Sequence, residues 1–184
     1  MPPTPLGGAT RRPLAITLLA VYSLLLGIVT FIPQLYYVLF AINRNLFPIG
    51  PDANPLGALW FNYILGGHQG GYLSVDAGTL AGALEDVFLL GPLYLATGVG
   101  LLRRGAWVRI VGLLTGAMGL YSTLYFLLSG VIGQHDSTDI ITTVLSTIPY
   151  LAYDLWLLAT VLFRAPSLSP APSASPAGAI TAQA

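Results

Sequence analysis

Residues 72–102, YLSVDAGTLAGALEDVFLLGPLYLATGVGLL, open as a polar loop, turn apolar at about Thr79 and carry two adjacent carboxylates, Glu85 and Asp86, inside the apolar run. An ionisable pair is expensive in hydrocarbon, so it belongs against a bundle interior, a water-filled cavity or a ligand.

Of 184 residues, 55% are hydrophobic and 8% charged, far below the roughly 25% charged residues of a soluble domain. That composition excludes an ordinary cytosolic protein. The formal net charge is zero and the basic residues are seven Arg with no Lys, so no basic run tracks a phosphate backbone and nucleic acid is not a partner. Without Cys there is no disulfide, thiolate metal site or cysteine nucleophile. The Ala, Leu, Gly and Arg bias suits a GC-rich bacterial genome.

Four apolar stretches predict an all-α, four-transmembrane-helix bundle over 14–164, with helices at about 14–42, 79–102, 106–130 and 140–163. Each reaches or exceeds the ~20 residues that cross a bilayer. The first is longer than required, which predicts a tilt or a kink at Pro33, and Tyr36 and Tyr37 mark its interfacial end. Its length also argues against a cleaved signal behind Arg11 and Arg12. Residues 1–13 and the Pro, Ala and Ser-rich 165–184 read as disordered arms. Between the first two helices, residues 53–65, ANPLGALWFNYIL, predict an interfacial helix with Leu56, Leu59, Trp60 and Tyr63 on one side.

Arg11, Arg12, Arg103, Arg104, Arg109 and Arg164 fall on one side and Arg44 on the other. This places both termini in the cytoplasm of a multi-pass protein of the bacterial inner membrane. In the third helix, Gly112 and Gly116 form a GxxxG pattern that allows another helix to approach, through self-association or with a membrane-protein partner. Tyr121 and Tyr125 are i,i+4 neighbours there.

Asp86 lies roughly 10 Å below Thr79 and Asp154 about 21 Å below Ile140 at 1.5 Å per residue, so the two carboxylates occupy different depths. Both are read as lining one ligand cavity, with Glu85 beside Asp86 and with Tyr121, Tyr150, Tyr153 and Trp156 as walls. An ionised carboxylate there takes a cation, and a neutral one donates a hydrogen bond. The plainer reading makes Glu85 and Asp86 structural, bonded to hydroxyls of neighbouring helices. His68, His135, Asp136 and Asp139 share the outer face without the spacing of a metal site. The glycines of GGHQGG do not sit between a strand and a helix and make no phosphate cradle. No cofactor is called for.

The run Y-x3-D-A-x-T ending in G-P (Tyr72, Asp76, Ala77, Thr79, Gly91, Pro92) resembles the second-helix region of the emopamil-binding protein family, the sterol Δ8-Δ7 isomerases of the EXPERA superfamily. Leu59, Trp60 and Tyr63 upstream, Tyr125 and Phe126 closing the third helix, and Asp154, Leu155 and Trp156 in the last extend the likeness to roughly residues 59–156. The resemblance implies four or five helices around a pocket for sterols and amphiphilic amines. It also locates a departure. The family's isomerase chemistry uses a His and a Glu in the first helix and a Glu in the second, and the matching positions here are Leu26, Thr30 and Ala83. Asp86, six residues before Pro92, matches an acidic residue of the sigma-2-receptor members. The resemblance therefore implies binding of a hydrophobic lipid, sterol-like or isoprenoid ligand without sterol isomerase activity.

A second likeness, RRP before an apolar helix and GLLRR-x-x-W-x-R between two later ones, is similar to short four-helix bacterial membrane proteins. It implies no chemistry and suits an accessory or structural role. An isomerase or cyclase that protonates an isoprenoid alkene from Asp86 or Glu85 is the third reading.

Overall fold

The computed structural model describes residues 13–67, 70–132 and 140–163, and all regular structure among them is helical. In chain order the helices are α1 (Leu14–Ile42), α2 (Pro55–Gly67), α3 (Gly70–Ser74), α4 (Ala77–Glu85), a π-helical turn (Asp86–Leu90), α5 (Gly91–Arg103), α6 (Val108–Ile132) and α7 (Ile140–Phe163). Four stretches are long and apolar enough to cross a membrane: Leu14–Ile42, Ala77–Arg103, Val108–Leu128 and Val144–Phe163. The chain is thus built as a four-helix membrane bundle, with α4, the π turn and α5 forming its second span. The arms, His68, His135, Asp136 and Asp139 lie outside the described residues.

The second span starts at Ala77, two residues before the expected Thr79, because Asp76 caps it. Its carboxylate accepts from the Thr79 N–H at 2.9 Å and from the Thr79 hydroxyl, satisfying a helix-start donor that would otherwise be orphaned. The third span starts at Val108, not Ala106. Arg104 adopts a left-handed conformation at φ 53°, and the Gly105 N–H bonds the Gly100 carbonyl at 3.1 Å, closing α5 with a tight reversal.

The π turn has a local cause. Pro92 carries no N–H, and in a regular helix its ring would press on the carbonyl four residues back. The Gly91 N–H instead bonds the Asp86 carbonyl, five residues back. One extra residue in the turn shifts the phase between α4 and α5, and turns of this kind often mark functional sites.

The bundle inverts the soluble pattern. On α1, Leu18, Val21, Leu25, Ile28, Val29 and Ile32 are exposed, a stripe suited to lipid. The opposite stripe, including Ser23, Gly27 and Thr30, is buried. α1 packs mainly on α5 and α6 on α7. Small residues set the first contact: a Cβ on Gly27 would meet Leu95, and one on Gly98 would meet Leu24 and the Ala20 carbonyl. Gly112 and Gly116, read as an association face, lie against Val161 and Leu158 of α7 in the same chain. The close approach they permit is filled by the protein's own last helix.

The core divides into two clusters. One, nearer the Arg103 end, gathers Leu19, Tyr94, Leu101, Tyr153, Leu157 and Val161. The other gathers Tyr36, Tyr37, Trp60, Ile64, Tyr72 and Val87 around α2. α2 thus forms where it was expected, but its inward side is Gly57, Trp60 and Ile64, whereas Leu59 is exposed. Trp60 Nε1 donates to the Pro33 carbonyl at 2.7 Å and pins α2 to α1. Trp60→Phe is expected to destabilise this attachment by about 1 kcal/mol, read as faster amide exchange in α2 with the exchange of α5 unchanged.

Candidate functional site

Between α1, α4, the π turn, α6 and α7, and under α2, lies a cavity of about 760 Å³. Its walls are mainly apolar and aromatic, with polar groups at a few points, the usual make-up of a small-molecule site. The π turn positions the central acid. Val87 and Leu90 of that turn face the core, while Asp86 and the preceding Glu85 line the cavity. Opposite them on α1, Thr30 and Gln34 are one turn apart and line it too.

Gln34 is within hydrogen-bonding reach of the Asp86 carboxyl and the Tyr72 hydroxyl. Its Oε1 is buried without a partner, as is Oγ1 of Thr30. Two buried acceptors therefore stand open beside a carboxyl in a largely apolar cavity. Unsatisfied buried polar atoms are rare and call for an explanation, and a ligand donor is one. Tyr72 sits over them outside the spans. Burial, reinforced by Tyr63 and Asp86, holds its hydroxyl well above the ordinary tyrosine range, so it is a neutral hydrogen-bonding group.

Tyr150 lines the cavity as expected, next to Thr30. Tyr121 also lines it, at the rim, where it is 65% exposed and stacks on Tyr125 with ring centroids 6.3 Å apart. Three residues expected to line it lie elsewhere, and one of them, Tyr153, is fully buried in the core cluster of Tyr94 and Leu157. Asp154 is fully buried beyond the cavity's inner end, where the Tyr94 hydroxyl donates to its Oδ1 at 3.1 Å. Tyr94 lines the cavity and Asp154 does not, since Asp154 lies one helical turn past Tyr150. Trp156 is two residues further on, roughly 200° around the helix from Asp154, and packs against the core cluster of Tyr94 and Leu157.

Asp154 belongs instead to a chain of bonds that ties three spans together. Tyr153 donates to Ser23 at 2.6 Å, and Ser23 donates to the Tyr94 carbonyl at 2.7 Å. Asp154 thus has the bonded hydroxyl of a neighbouring helix that the plainer reading asks for, and Asp86 has the Gln34 amide of α1 within reach.

No protein family, curated protein or solved structure matches this chain.

Among the lining residues that sequence reasoning missed are Thr30 and Gln34 as polar groups of α1, Tyr94 of α5 and Tyr72 of α3. Gln34 carried a legible signal, an amide in an apolar span. Tyr94 did not, because its role depends on Asp154, 60 residues away in the chain. Among the described residues, no three carboxylates or imidazoles gather closely enough to hold a metal ion.

Proposed function

We propose that this multi-pass membrane protein binds a hydrophobic amphiphile, of lipid, sterol-like or isoprenoid class, in the cavity beside Asp86. One observation carries the reading: a carboxyl and two unpartnered buried acceptors, on Asp86, Gln34 and Thr30, face the same largely apolar space. Such a set takes a ligand with a protonated amine or hydroxyl head and an apolar body.

An EXPERA-like arrangement is part of the proposal. Trp60, Tyr63, Tyr72, Asp76 and Thr79, residues of the resemblance, all border the cavity, which supports it. The expected isomerase positions hold no acid or imidazole, and Ala83 among them lines the cavity with a methyl group. This supports binding over sterol isomerisation. The proposed orientation puts both termini in the cytoplasm, consistent with Arg103, Arg104 and Arg109 clustering at the turn between α5 and α6, and Arg44 lying past the far end of α1.

Native mass spectrometry of the protein in mild detergent tests the reading. A co-purifying lipid, displaced by a long-chain amine, is the expected result. Absence of any adduct, together with no saturable amine binding, would overturn it.

A further inference from the structure

The second and third spans are packed unevenly along their length. Below the π turn α5 packs on α6, whereas above it α4 packs along α1 and makes at most marginal contact with α6 or α7. Among the described residues, the two spans therefore part at the π turn. The cavity reaches into the opening between them. Ala81 and Gly82 of α4 and Tyr121 and Tyr125 of α6 all line the cavity.

Two further observations bear on this opening. A Cβ placed on Gly82 would meet no atom within 4 Å, so the α4 edge borders empty space. The rings of Tyr121 and Tyr125 are 65% and 57% exposed although both border the cavity. They lie where α6 is within an apolar stretch able to cross a membrane, so the slot faces the side of the bundle and not only its end. In a bilayer that side is hydrocarbon.

We infer that the gap between α4 and α6 is a lateral portal, and that the occupant is a membrane-resident amphiphile whose head lies at Asp86 and whose single chain runs out past Gly82 and Tyr121 into the lipid. This rests on the binding proposed above and adds the route and the ligand's shape. An apolar chain gains nothing by folding into the polar end of the cavity, where Gln34 and Thr30 present unpartnered acceptors. It loses nothing by staying in hydrocarbon. The stacked tyrosines supply a flat, apolar flank with hydroxyls at its edge, matched to the region where a chain meets its head.

A long-chain primary amine with a diazirine near the end of its tail is the probe, used on the full-length protein in lipid nanodiscs. Photolysis is expected to label the α6 segment holding Tyr121 and Tyr125, or α4 beside Gly82. Gly82→Leu places bulk in the slot where a Cβ meets no atom within 4 Å, and is expected to weaken binding of this probe by about tenfold or more, because a head seated at Asp86 then has no open path for its chain into the lipid. Labelling confined to α2 or the cavity interior, or unchanged affinity in Gly82→Leu, would overturn the portal while leaving the binding site intact. Failure of the probe to bind the wild type would instead overturn the binding reading, and the portal with it. Because the labelling pattern is read on the wild-type protein, the test does not depend on how the variant folds.

Discussion

Gly119→Ala is expected to destabilise the bundle by about 3 kcal/mol, the sum of overpacking and of a lost interhelical hydrogen bond. Gly119 of α6 sits directly against the Asp154 and Tyr94 pair. An added Cβ would collide with Asp154 Oδ1 and come within 2.5 Å of the Tyr94 hydroxyl and 2.7 Å of the Asp154 carboxyl carbon. Asp154 is fully buried, and the Tyr94 ring is packed edge-on against Tyr153, their centroids 5.5 Å apart. The methyl therefore pushes a donor of α5 away from its acceptor on α7. Thermal unfolding in detergent, followed by circular dichroism, measures the loss. Tyr94→Phe in the Gly119→Ala background removes one colliding atom and is expected to recover part of it, a coupling between neighbours that distant sites would not show. A midpoint for Gly119→Ala equal to the wild type would mean that the pair does not hold the spans together.

Asp86→Asn carries the largest expected effect on binding. The substitution keeps shape and a carbonyl acceptor toward Gln34 while removing the charge, so the midpoint of unfolding is expected to stay near that of the wild type. Affinity for an amphiphilic amine is expected to fall by at least about tenfold, since pairs of buried charges are commonly worth 2–5 kcal/mol or more when one partner is lost. The matching long-chain alcohol isolates the cause. Its neutral head still meets acceptors on Thr30 and Gln34, and its affinity is expected to change little. Isothermal titration of both ligands against both proteins gives the comparison. Equal losses for amine and alcohol would mean that Asp86 shapes the cavity without serving as a counter-charge, and no loss for either would remove Asp86 from the site.

The two acids separate by what surrounds them. Asp154 has a tyrosine donor and glycine-made clearance, and it does not itself line the cavity, though its partner Tyr94 does. Asp86 follows directly on α4 in a turn widened by Pro92, opposite an amide and a hydroxyl on α1 with acceptors to spare. In the linear sequence both are carboxylates in apolar runs, and nothing local assigns one to structure and the other to a ligand. Trp156 shows the same limit. A ring near an acid in sequence looks like part of its site, but the helical turn sets it against the flank of the core cluster, only partly buried.

The GxxxG pattern shows what a local motif can and cannot tell. Gly112 and Gly116 were legible as a place of close helix approach, because only a missing side chain allows it. Which helix approaches was not legible, and it is α7 of the same chain. The contact between α1 and α5, held by Gly27 and Gly98, passed unnoticed: Gly98 has Tyr94 and Leu102 four residues away, and on α1 the small pair is Ser23 and Gly27, which is not a glycine pair. Conversely, the stacking of Tyr121 on Tyr125 followed from spacing alone.

By itself the sequence determined that four helices cross the membrane, roughly where each starts and ends, and that a short helix follows the first. A bilayer leaves backbone groups no water to bond, so twenty apolar residues admit almost one local structure. Only the tertiary structure decided which polar groups meet. Asp86 with Gln34, Tyr94 with Asp154, and the parting of α4 from α6 at the π turn each depend on how far one helix is rotated against another. That rotation is set by many small contacts summed over whole interfaces, and no short stretch of sequence encodes it.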